Sequence, residues 1–77
     1  MTAYEHAQKA QRLRTLAGNL MRRREDLATL PQNGVPAEAL DCIARAEDAL
    51  AIARDHVERQ AGEHEREALK LEREGKG

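Results

Sequence analysis

Leu30-Pro31-Gln32-Asn33-Gly34-Val35-Pro36 is the stretch that decides the fold, because it holds both prolines of the chain and an Asn-Gly pair. Pro31 cannot continue a helix, and Leu30 before it is pushed away from helical backbone angles. Asn33-Gly34 favours a turn that needs a positive φ. Pro36 suits the opening of a new helix, where a missing N–H costs nothing. The stretch therefore reads as a connection between two elements.

Both flanks are rich in Ala, Leu, Arg and Glu, which are strong helix formers. The first helix is expected over 1–30, starting near Thr2 and ending near Thr29. Thr2 and Glu5 have the spacing of a capping box, in which hydroxyl and carboxylate each serve one orphan amide of the first turn. The turn is expected over 31–36 and the second helix over 37–74, opening at Pro36. Glu38 and Asp41 lie near its positive end. Gly75 stops it and Lys76 follows its negative end, in a tail over 75–77. At 1.5 Å per residue the helices span ~42 Å and ~57 Å. The second should overhang, leaving Glu65 to Gly77 frayed or solvated.

Apolar residues recur with helical spacing on both flanks. The first seam reads Ala3, Ala7, Ala10, Leu13, Ala17, Leu20, Leu27, with Leu16, Met21 and Ala28 beside it. The second keeps a seven-residue rhythm through Ile43, Leu50, Val57, His64 and Leu71. Ala39, Ala46, Ala53 and Gln60 intervene, and the seam decays toward Gln60 and Glu67. A short connection makes the helices antiparallel neighbours. Folding at Asn33 would set Leu27 across from Leu40, Leu20 near Ala46 and Ala10 near Val57. Residues 1–30 carry six basic and three acidic side chains, and residues 31–77 carry seven and eleven. Opposite helix charges favour this pairing, although each exposed pair contributes only about 0–1 kcal/mol.

Large apolar side chains number nine Leu, two Ile, two Val, two Met and one Tyr. A lone hairpin would leave one side of each stripe wet. The second stripe is wide, with Leu40, Ala44, Ala51 and Leu69 on one flank and Cys42 and Ala49 on the other, as suits a helix with two neighbours. The expected fold is all-α: an antiparallel two-helix hairpin dimerising into a four-helix bundle. Leu13, Ala17, Leu20, Leu27, Ile43, Leu50, Ala53 and Val57 form the dimer and core seam. In layout alone, this resembles the plasmid copy-control Rop proteins, dimeric helical hairpins. No residue motif carries the likeness, and a shared layout does not give function.

Composition narrows the chemistry. A net charge of −1 gives no bulk attraction to nucleic acid or anionic membrane. No run is long and apolar enough to span a bilayer, and no secretory leader is expected. The single Cys42 makes no internal disulfide, which suits a reducing cytoplasm. It is expected to be a small buried side chain. No glycine-rich phosphate loop, nucleophile arrangement or carboxylate dyad is present, so neither enzyme activity nor a cofactor is expected. His6 and His64 fall on seam positions at one end, where two histidines could share a metal or act as a pH-sensitive pair. With no Cys or fixed carboxylate constellation beside them they are expected to be polar residues where the core fades, and no metal site is expected. His56 lies on the outer face.

Arg22-Arg23-Arg24 is the densest basic run, and Lys9, Arg12 and Arg23 share a helical face with Arg22 at its edge. Such a stripe could track phosphates, but Glu25 and Asp26 follow at once and no aromatic is there to stack bases. Arg24 sits at the seam angle. It must snorkel, pair with Glu47, or meet a partner, and Arg is enriched at the centres of interfaces. Tyr4, the sole aromatic, and Ile52, amid acidic neighbours, lie off their seams. Asp41–Arg45, Asp55–Arg59, Glu63–Arg66 and Glu67–Lys70 are spaced for solvated ion pairs. The candidate partner-binding residues are Tyr4, Lys9, Arg12, Arg22, Arg23, Arg24 and Ile52. The expected function is a non-enzymatic, homodimeric protein-binding regulator or inhibitor, a bacterial or phage accessory factor of the host-takeover or anti-defence kind. The alternative is a nucleic-acid-binding dimer using the first helix's Lys/Arg stripe.

Overall fold

The computed structural model describes residues 1–75; Lys76 and Gly77, assigned to the tail, lie outside the described residues. Two helices, α1 (Ala3–Ala28) and α2 (Ala37–Arg73), pack along each other as a helical hairpin. The rod measures 61 × 14 × 13 Å.

Local chemistry sets the ends. Thr2 caps α1: its Oγ1 accepts from the Glu5 amide at 3.1 Å, and a Glu5 carboxylate oxygen accepts from the Thr2 amide at 3.4 Å. Together they complete the capping box. Gly34 adopts φ 78° in the connection and Gly75 φ 72° after α2, where a side chain would be strained. Pro36 holds the N-cap position of α2 at ψ 149° and has no side-chain cap to give. Its carbonyl accepts from the amides of Ala39 and Leu40.

The contact between the helices is made of alanine. Ala3, Ala10 and Ala17 on α1 and Ala61 and Ala68 on α2 are the buried hydrophobic residues, none more than 7% exposed. Ala3, Ala10 and Ala17 repeat every seven residues, as do Ala61 and Ala68, so each set forms one row along its helix. A row without side chains beyond Cβ lets two backbones approach closely. Larger side chains are then displaced to the edge. Leu13, Leu20, Leu27, Ile43, Leu50, Ala53 and Val57 are half-buried; of the expected seam, Ala17 alone is buried. Ala7 and Ala28, also read as seam or flank, are exposed.

The pairing register differs from the one expected. His6 meets His64, and the Arg54 guanidinium reaches the Met21 sulfur at 3.1 Å. Folding at Asn33 would have set His6 about one helical turn nearer the start of α2. The connection takes up residues 29–36 before a helix can restart, and this moves the fold point forward. The surplus length of α2 therefore lies at the connection end. Its closing turns, expected to fray or stay solvated, remain helical to Arg73: Glu65 pairs with Arg14, and Ala68 is buried.

Candidate functional site

Helical geometry divides the rod into two sides. On one side, His6, Leu13, Leu20 and Leu27 of α1 run beside Ile43, Leu50, Val57, His64 and Leu71 of α2, all half-buried. Ala46 and Ala53 widen this edge. On the other side Ala7, Ala10, Gln11 and Arg14 face Glu65, Ala68, Leu69 and Glu72 across a shallow groove. Arg14 closes that groove by donating from Nε (3.1 Å) and a terminal nitrogen to one Glu65 oxygen. Leu69 stands on its rim, 55% exposed.

The central rows carry charge where the alanines stop. Arg24 continues the Ala3–Ala10–Ala17 row, and Glu47 and Arg54 continue the Ala61–Ala68 row; all three are half-buried. The Nε of Arg24 is buried without a hydrogen-bond partner. Among the described residues it forms no ion pair with Glu47, the partner suggested by sequence. The Arg54 guanidinium donates to the Met21 sulfur at 3.1 Å and to Asp55 at 3.0 Å. Arg14 and Arg54 were both missed as interface residues. Their signal was positional: Arg54 lies seven residues before Ala61, and Arg14 lies seven after Ala7.

The candidate partner-binding residues do not form one patch. Lys9 and Arg12 line a cleft with Leu13, Gln60 and His64, beside the leucine edge. Arg23 lies further along that face and pairs loosely with Asp26 at 3.6 Å. Tyr4 and Arg22 share a different face of α1, where the Tyr4 hydroxyl accepts from Gln8 at 2.8 Å. Ile52 is on the outside of α2, 57% exposed. Cys42, expected to be buried, is exposed, because its position falls outside the rows set by Leu40 and Ile43. Of the outer ion pairs, Asp41–Arg45 forms at 2.7 Å. Asp55 pairs with Arg54 instead of Arg59, since the half-buried Arg54 head emerges beside it. Glu63–Arg66 and Glu67–Lys70 do not pair among the described residues.

Among the described residues, His6 and His64 are the one polar pair inside the leucine edge. Their Nδ1 atoms are 2.8 Å apart and the ring centroids 5.1 Å apart. Among the described residues, no cluster of three or more His, Cys, Asp or Glu could hold a metal ion, and no helix is long and apolar enough to cross a membrane. Comparison with family models, curated proteins and solved structures gives no match.

Proposed function

We propose that the chain is a homodimeric helical hairpin that binds a protein partner as its regulator or inhibitor, of the bacterial or phage accessory kind. The supporting observation is that, among the described residues, no side chain larger than alanine is buried. The leucine edge is therefore available to a second copy. A compact monomer of this mass exposes about 4,700 Å², whereas the hairpin exposes 5752 Å². The excess, about 1,000 Å², is comparable with the roughly 800 Å² that each partner contributes to a stable interface. Two leucine edges packed together make a four-helix bundle with the alanine contacts inside each hairpin and the leucines between hairpins.

Such a bundle leaves Tyr4, Arg22, Arg23 and Ile52 on its outside, on separate faces that are each open to a partner protein. A cytoplasmic setting suits the exposed thiol of Cys42, which stays reduced there. The experiment is capture with the full chain as bait at low and high salt, in parallel with the variant Tyr4→Ala/Ile52→Asp. A protein retained at high salt and lost with the variant supports the reading. Retention of RNA or DNA alone, falling steeply as salt rises, would replace it with nucleic-acid binding through Lys9, Arg12, Arg22 and Arg23.

A further inference from the structure

The His6–His64 contact has a geometry that names its own occupant. The centroid separation of 5.1 Å is what two imidazoles give when each Nδ1 points straight at the other across 2.8 Å. A metal would need both lone pairs to converge on a point ~2.0–2.1 Å from each nitrogen. These lone pairs oppose each other instead, so the space between the rings fits a proton. A contact this short is a bond only when one ring carries hydrogen on Nδ1 and donates it. The other accepts at Nδ1 and so carries its own hydrogen on Nε2.

The proton inventory then follows. A first added proton goes to the free Nε2 of the donor ring, leaving the N–H···N bond intact and charge-assisted. A second has only the accepting Nδ1 left, which ends the bond and sets two cations head to head. The surroundings give little help to that doubly charged state. From α1, Lys9 and Arg12 line the cleft beside His64, and Glu5 is occupied in the Thr2 cap. From α2, Gln60 lines the cleft, half-buried Glu67 lies one turn beyond His64, and exposed Glu63 precedes it.

We propose that His6 and His64 form an acid-sensitive latch, closed while at least one ring is neutral and forced open when both are protonated. The closed state keeps the first proton, and only the second is taken up preferentially by the open state, so closure survives single protonation and is lost on the acid side, once both rings are charged. Both rings lie on the leucine edge. If that edge holds the second copy, as the dimer reading requires, opening the latch also loosens the bundle at this end.

The test compares the full chain with His6→Leu/His64→Leu, which continues the leucine rows and keeps every carboxylate. Circular dichroism melts are run at about pH 7.5 and about pH 5, the range over which histidine changes charge. The native chain should lose about 5 °C more than the leucine variant on acidification. Equal losses overturn the latch. Nitrogen NMR at neutral pH provides a second readout on the native chain. One of the two rings should be the Nδ1–H tautomer and the other Nε2–H, with His56 as an exposed reference. Two Nε2–H rings overturn the proposal. Light scattering on the same samples separates the two ideas. A single-chain mass at neutral pH removes the dimer and leaves the latch to the melts and NMR, whereas a stable dimer with equal melts removes the latch alone.

Discussion

Ala17→Leu is the most telling substitution in the hairpin contact. Ala17 is 3% exposed and continues the row of Ala3 and Ala10 that meets α2. Leucine is as good a helix former as this position needs, so the change tests packing and not propensity. Its branched side chain has no room between backbones that meet through Cβ atoms. The helices must separate or the leucine must take a strained rotamer. Overpacking of this kind costs about 1–3 kcal/mol. For a chain of this size each kcal/mol corresponds to roughly 4–8 °C in Tm, so a fall of about 5–20 °C is expected. Ala7→Leu, at an exposed position lining the shallow groove, is the control: its side chain has open space there, so stability should not fall. Both are measured by thermal circular dichroism at one fixed protein concentration, because an associating chain has a concentration-dependent Tm. An Ala17→Leu chain as stable as Ala7→Leu would refute close contact along the alanine row.

Four further substitutions probe separate features. Leu50→Asp puts a carboxylate on the leucine edge and should abolish association, and with it most helicity, read by light scattering and circular dichroism. A folded, monomeric Leu50→Asp chain would contradict dependence of the fold on that edge. Arg24→Met removes a buried Nε without a hydrogen-bond partner and should raise stability by about 1 kcal/mol in urea titrations. Gly34→Ala forces a Cβ onto φ 78° and should lower stability by about 1 kcal/mol or more, although open space surrounds the position. Thr2→Ala breaks the capping box and should cost about 1 kcal/mol, with faster amide exchange confined to the first turn of α1.

The features legible in the sequence were the ones decided locally. The Thr2–Glu5 box, the Gly34 turn, the Gly75 stop and the Pro31 and Pro36 boundaries each follow from one or two residues. The leucine-bearing rows were legible because seven-residue spacing projects them onto one side of a helix. Which row sits at the centre depends on the other helix. The alanine row takes that place because it lets the backbones come closest, and Arg54 is tolerated in line with it because its guanidinium finds the Met21 sulfur and the Asp55 carboxylate at the edge of the contact. The register was a turn off because the length of the connection, residues 29–36, fixes the fold point more than the position of the Asn-Gly pair does. His6 and His64 could be brought to one end from antiparallel pairing alone. The head-on Nδ1 contact could not, since it depends on that register and on the tilt of both rings. Cys42 is exposed because it lies just outside the rows that Leu40 and Ile43 set, and sequence spacing alone does not fix how wide the covered stripe is.

The most direct test of the hairpin as half of a bundle is its mass in solution at neutral pH. Light scattering over a dilution series from about 100 to about 1 μM covers the range in which association by mass action becomes visible. The expected result is twice the 8.6 kDa of one chain, held through most of the series. A mass of 8.6 kDa at every concentration, with full helicity and a cooperative melt, would contradict it.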